Sequence, residues 1–419
     1  MRSGTLLVAG VAVAALAFGS SCESIRASAN PEVPTWVHRP SWSLSVVFRE
    51  PLNALSRQET EAYERGRPEL DVDGRRVFVG SSDRGLYALR AEDATVLWRF
   101  ETLGVVQCEP LYDPIEDVVY FGSNDGALYK VNAKDGHLLW RFMTNAEVAR
   151  RPVIRGSTVY AVNANDTVIA LNRKTGERRW SQHRAPALGM EVAGYAGPLV
   201  SQNFVYAGFS DGTVTAYDAE TGAERWQPVD LSAEAEEALG DVPRYLDVDT
   251  TPVAYNIDES PVVLVGSYDG GVYALDGDDG ARVWGRPEVT GVHDLVLWSQ
   301  PAHPRRDAEP GAPLEPAHEL LLAASGTTGL WALDPKTGED VWHRPLPDGG
   351  VSMPVPVAGA LLVSTTVHGL YLMSPLDGSV IDGLHTDAGF SQAPVAYGLR
   401  AFILTNTGSL LGIHITPPV

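Results

Sequence analysis

The chain has 419 residues, 44% of them hydrophobic, with 41 glycines and a formal net charge of −21. That size and glycine content suit one large, turn-rich globular domain rather than a fibrous or disordered chain. The acidity argues against nucleic acid or an anionic lipid surface as a direct partner of the folded surface.

Residues 1–21 read as a signal peptide, with Arg2 as the charged start, an apolar core from Leu6 to Phe18 and small residues before Cys22. The apolar run is too short for a permanent transmembrane helix. Gly19-Ser20-Ser21-Cys22 resembles a bacterial lipobox, with Gly19 where an aliphatic residue is usual. The resemblance implies a diacylated Cys22; the alternative is ordinary cleavage near Ser20, which releases a free secreted chain. Glu23 rather than Asp after the cysteine fits, by the usual enterobacterial sorting pattern, delivery to the outer membrane, facing the periplasm. Residues 22–40, with Pro31, Pro34 and Pro40, are expected to form a flexible tether. With Cys22 lipidated, Cys108 has no disulfide partner and is expected to be a buried core thiol.

From residue 41 onward the chain repeats one unit, typified by Val262 to Trp284. Its first half predicts two strands joined at Asp269-Gly270, and its second half a turn in which Asp276 caps backbone N–H groups while Gly280 supplies the unusual dihedral. With Gly266 as marker, the equivalents are Gly80, Gly122, Val162, Gly208, Ala324, Ser364 and Leu404. Six copies carry tryptophan eighteen residues after the marker, at Trp98, Trp140, Trp180, Trp226, Trp284 and Trp342; Asp382 takes that place in the seventh. Each indole is an amphipathic plate able to bury about 150–250 Å² against a neighbouring copy. A proline is expected to open each innermost strand, at Pro68, Pro110, Pro152, Pro198, Pro252, Pro301, Pro354 and Pro394.

Eight four-stranded antiparallel units spaced by 40 to 58 residues predict an all-β, eight-bladed β-propeller over residues 41–419. The eighth copy ends before its outer strand, so Ser41 to Val46, with Trp42, is expected to supply that strand and shut the ring. The spacing from tryptophan to the next proline is 12 residues in three cases, and 12 again from Asp382 to Pro394, but 18 after Trp180, 26 after Trp226 and 17 after Trp284. Three adjacent long links on one face predict a binding sector. The longest link holds Ser232 to Gly240, which predicts a short helix capped by Ser232 and stopped by Gly240.

After that helix comes Arg244-Tyr245-Leu246-Asp247-Val248-Asp249-Thr250-Thr251-Pro252. This segment resembles the Arg-x-x-Asp-Val-Asp-Thr-Thr-Pro stretch of the BamB family, lipoprotein subunits of the outer-membrane β-barrel assembly machinery. Gly389-Phe390-Ser391-Gln392-Ala393-Pro394-Val395 and the opening Ser41 to Val46 are also similar to family segments. The blade motif of Ala216 to Trp226 and Ala332 to Trp342 is shared more widely with quinoprotein-like, PQQ-repeat propellers. The resemblance implies a non-catalytic scaffold without cofactor, bound to the periplasmic region of a BamA-like barrel protein and to other assembly subunits. It nominates Arg244, Asp247 and Asp249, with Met190 and Val192 from the preceding long link, as contact residues, the two carboxylates acting as rim charges. The family's other contact loop has an arginine near the place of Ala193.

Two alternatives stay open at this point. One is a propeller that binds another envelope protein or polymer, for which the proline-rich stretch Pro301 to Glu319, placed in a link from innermost to second strand, is a candidate. The other is a quinone-dependent dehydrogenase, a class that pairs adjacent cysteines over its cofactor; Cys22 and Cys108 are far apart. His303 and His318 lack zinc-site spacing, and Asp276, Asp278 and Asp279 read as turn residues rather than a calcium run.

Overall fold

The computed structural model describes residues 43–52, 64–186, 196–240, 245, 247–302, 316–346, 349–367, 369–386 and 389–417. Strand β1 (Leu44–Pro51) comes first in the chain but belongs to the last blade. Blade 1 is β2 (Glu69–Leu70), β3 (Arg76–Gly80), β4 (Gly85–Arg90) and β5 (Val96–Glu101); blade 2 is β6 (Leu111–Asp113), β7 (Val118–Gly122), β8 (Ala127–Asn132) and β9 (Leu138–Met143). Blade 3 is β10 (Val153–Arg155), β11 (Thr158–Asn163), β12 (Thr167–Asn172) and β13 (Arg178–His183); blade 4 is β14 (Leu199–Ser201), β15 (Phe204–Gly208), β16 (Thr213–Asp218) and β17 (Val229–Asp230). Blade 5 is β18 (Val253–Ile257), β19 (Ser260–Ser267), β20 (Gly271–Asp276) and β21 (Arg282–Arg286); blade 6 is β22 (Val292–Gln300), β23 (His318–Ser325), β24 (Gly329–Leu333) and β25 (Asp340–Arg344). Blade 7 is β26 (Val355–Val357), β27 (Ala360–Ser364), β28 (Gly369–Met373) and β29 (Val380–His385); blade 8 is β30 (Val395–Tyr397), β31 (Arg400–Leu404), β32 (Ser409–Ile415) and β1. Every pairing is antiparallel, which makes the fold the expected eight-bladed propeller.

The second strands carry unbroken apolar runs because both of their faces are covered. Val77, Phe78 and Val79 of β3 are fully buried, as are Val119, Tyr120 and Phe121 of β7. Each of the eight seams between adjacent blades holds its own apolar cluster, so the core is a ring of interfaces rather than one centre.

The tryptophans bind these seams in two ways. Each ring lies on a positive-φ glycine in the turn of the next blade; at Gly280 (φ 78°) an added Cβ would come within 2.7 Å of the Trp226 ring. Five of the six indoles also donate their N–H to a carbonyl of that turn, Trp98 to Ala133, Trp140 to Arg173, Trp180 to Ala219, Trp284 to Pro335 and Trp342 to Pro375, at 2.8–3.2 Å. Trp226 has no such partner, and the Tyr206 hydroxyl alone donates to the equivalent Gly277 carbonyl, at 3.0 Å. Trp42 lies outside the described residues.

Ring closure follows the expectation, since β1 pairs antiparallel with β32 from Leu44 opposite Ile415 to Pro51 opposite Ser409. Asp382, in the tryptophan position of blade 7, is buried, and its carboxylate accepts the Leu44 N–H at 2.9 Å and the Gly383 N–H at 2.9 Å.

Three local expectations are corrected. Ser267 and Gly271 pair directly, and Gly271 rather than Gly270 holds the positive φ (90°), so the turn is Tyr268-Asp269-Gly270. Seven of the marker prolines precede innermost strands, but Pro301 follows β22. Val253 and Val296 hold the same register against β19 and β23, so Leu295 stands where the other blades have proline. The link from Arg286 to Val292 is therefore short, and the long links are two, not three.

Candidate partner-binding sector and central channel

The two long links leave blades 3 and 4 on the face that carries the turns between second and third strands. Met190, Val192 and Ala193 of the first link lie outside the described residues, as does Arg244 of the second.

The second link opens with α1 (Leu231–Leu239). Its cap is Asp230, not the expected Ser232: the Asp230 carboxylate accepts the N–H groups of Ser232 at 3.0 Å and Ala233 at 3.1 Å, and Ser232 is itself one of the residues being capped. Gly240, at φ 74°, ends the helix as expected, and its N–H donates to the Glu236 carbonyl. The helix crosses from blade 4 to blade 5, with the Leu231 N–H bonded to the Gly212 carbonyl at 3.0 Å and Glu234 paired with Arg282.

Beyond it, residues 245 and 247–251 are stitched to both blades. The Tyr245 N–H donates to Asp269 at 2.9 Å, and the Val248 N–H to the Phe209 carbonyl at 3.1 Å. The Thr250 hydroxyl accepts the Gly266 N–H at 2.7 Å and donates to the Gly266 carbonyl at 3.0 Å, and Thr251 accepts the Gly197 N–H at 3.0 Å. The Asp247 side chain is buried, at 5% exposure, and Asp249 turns inward, where Arg150 of blade 3 donates to its carbonyl at 2.9 Å. Asp247 is thus not the exposed rim charge expected from the sequence, and Asp249 is half-buried. Among the described residues of this segment, Tyr245, 37% exposed, and Thr251 are the exposed ones.

Burial, and then the adjacent Asp247 carboxylate, push the Asp249 carboxyl well above the usual range. The native state therefore binds this proton more tightly than the unfolded chain, and the wild type loses stability as pH rises from about 4, the ordinary carboxylate value, through the raised native one. Asp249→Asn is expected to run parallel to the wild type in melting temperature below about pH 4 and to overtake it above. A constant difference from pH 3 to 8 would show that Asp249 titrates normally.

On the propeller axis, residues just ahead of or at the start of the innermost strands of all eight blades line a cavity of about 790 Å³. Its charges pair with one another, Arg67 with Glu109 at 2.8 Å and Arg151 with Glu69 and, at 3.4 Å, with Glu109. Burial works to raise Asp294, yet the hydrogen bond and charge of His293, with Arg150 and Arg67, hold it below the usual carboxylate range. The sequence reading named none of these channel residues, although most stand one to three places before a marker proline.

Cys108 is fully buried, and burial pushes its thiol up to about 12. Asp276 accepts the N–H groups of Asp278 and Asp279 at 2.8 and 3.3 Å, as a turn cap does. His318 lies in β23 and His303 outside the described residues, among which no cluster of three His, Cys, Asp or Glu has the spacing to hold a metal.

A relative from Yersinia pestis, named outer membrane protein assembly factor BamB, is 27% identical over 366 residues, covering 86% of this chain and 74% of that protein. A Legionella pneumophila protein of the same name is 25% identical over 177 residues, 42% of this chain, and the match spans only 40% of that relative's length. Among solved structures, BamB from Moraxella catarrhalis superposes with a TM-score of 0.67 at 18% identity, covering 89% of this chain and all of that one. A quinohemoprotein alcohol dehydrogenase from Comamonas testosteroni reaches 0.61 at 14% identity, covering 89% of this chain and 76% of its own, a likeness of fold. The sequence model of the family described as outer membrane protein assembly factor BamB matches residues 115–343, more than half of the length, and the chain belongs to that family.

Proposed function

We propose that the protein is a non-catalytic scaffold of outer-membrane protein assembly, held at the outer membrane through a diacylated Cys22, facing the periplasm, and bound to the periplasmic region of a BamA-like barrel protein alongside other assembly subunits. The observation that carries this reading is the family match together with two long links on one face of adjacent blades. Arg244 and Tyr245, with Met190 and Val192 from the other link, are the contacts. The Asp247 and Asp249 backbone carbonyls, which accept the Tyr268 N–H and Arg150, serve them by holding the segment in place, so that little ordering entropy is lost on binding.

Capture of the BamA-like protein from detergent-solubilised envelopes tests the reading. The wild type should recover it, and Arg244→Glu combined with Met190→Asp and Val192→Asp should recover at least tenfold less, while Asp93→Lys on an exposed turn of blade 1 leaves recovery unchanged. A wild-type chain that recovers no barrel protein sinks the proposal. Separately, an alkaline wash that strips peripheral proteins should leave the wild type in the membrane fraction and release Cys22→Ala; release of the wild type by the same wash would exclude a lipid anchor at that residue.

A further inference from the structure

The seam between blades 4 and 5 differs from the other seams. The outer strand of blade 4 shrinks to Val229–Asp230, and α1 takes over its outer edge. Among the described side chains of α1, Leu231 and Ala235 are buried, while Ala233, Glu236, Glu237 and Ala238 face solvent. Leu231 shares one apolar cluster with Trp226 and Tyr273. In that same seam the Trp226 indole N–H and the Tyr273 hydroxyl are buried with no protein partner. Tyr273 thus packs in the cluster that Leu231 of α1 closes, and burial, with the Glu234 carboxylate of α1, pushes its hydroxyl up to about 12.

We propose that α1 is a removable strap over the seam between blades 4 and 5, in equilibrium between a docked form and a lifted form. Docking buries one leucine and one alanine and gains the Leu231–Gly212 bond and a part-exposed Glu234–Arg282 pair, but it strips water from two polar groups that gain no protein bond in return, so the contributions largely offset one another. A nine-residue helix is too short to persist alone, so lifting also unwinds it. The lifted form uncovers Trp226 and Tyr273, an apolar strip with two hydrogen-bonding groups, beside the long links. The strap does not depend on the assembly role, and its failure would leave that role untouched.

Amide hydrogen exchange of the full chain tests it. Amides of 231–239 are expected to exchange at least tenfold faster than those of β16 and β20, by local opening. Tyr273→Phe keeps the ring and removes the unpartnered hydroxyl, and should slow α1 exchange roughly fivefold to tenfold, the worth of one such group. Leu231→Ala should speed it, with protection in blades 1 and 8 unchanged. Exchange of α1 as slow as β16, or exchange not slowed in Tyr273→Phe, would overturn the proposal. Global loss of protection in Tyr273→Phe would overturn it equally, since the hydroxyl would then be a bond the fold needs.

Discussion

Trp180→Ala is expected to cost about 3–5 kcal/mol, the largest single loss among the blade tryptophans. The ring is 8% exposed, lies on Gly222, where a Cβ would meet it at 2.6 Å, and packs against Tyr160 and Tyr217. Removing it leaves a cavity between blades 3 and 4 and an Ala219 carbonyl short of one donor. Trp180→Phe and Trp226→Phe together separate packing from hydrogen bonding. Both lose similar area, but only the first loses an indole bond, so it should be less stable by about 1 kcal/mol in denaturant unfolding. Equal costs would mean that the Trp226 N–H is satisfied after all.

Asp382→Ala should cost about 3 kcal/mol and act on one place, the closing strand. Two backbone N–H groups, Leu44 and Gly383, lose a charged acceptor inside a buried site, and each such bond is worth about 1.5–3 kcal/mol. Hydrogen exchange should rise in β1 before the other blades, and proteolysis should begin at the N-terminal strand. Asp382→Asn keeps one acceptor oxygen but turns an NH2 donor toward the other N–H, so it should recover no more than about half of the loss. Uniform destabilisation of all blades in Asp382→Ala would show that the carboxylate holds more than the closure.

The fold was legible because its repeat depends on few, strict positions. Gly280 must adopt a positive φ and lie under Trp226, Asp276 must cap the turn, and these constraints recur at fixed spacing. Proline was a weaker guide. It only needs a place where no ladder N–H is required, and Pro301 finds one at the far end of β22 while Leu295 serves at the near end. The site was less legible. Nothing in Asp247-Val248-Asp249 states which way each carboxylate points, since that depends on how the link returns to the channel wall. Asp230 displaced Ser232 as helix cap because two side chains of similar chemistry stand two residues apart, and the start of the helix decides between them.

The closing strand also sets an order of events. Leu44 and Asp382 are separated by 338 positions, and β1 meets β32 only after nearly the whole chain exists. Seven blades can form from neighbours close in sequence as the polypeptide emerges, whereas the eighth waits for its two ends to meet across a loop whose entropic cost falls on the final step. Until then Val46 and Val47 of β1 have no sheet to join, and the outer edge of β32 is open. A chain that stalls before residue 409 carries seven complete blades but not the strand that β1 must join, so the slowest and most aggregation-exposed species should be a nearly complete, open ring rather than an early fragment.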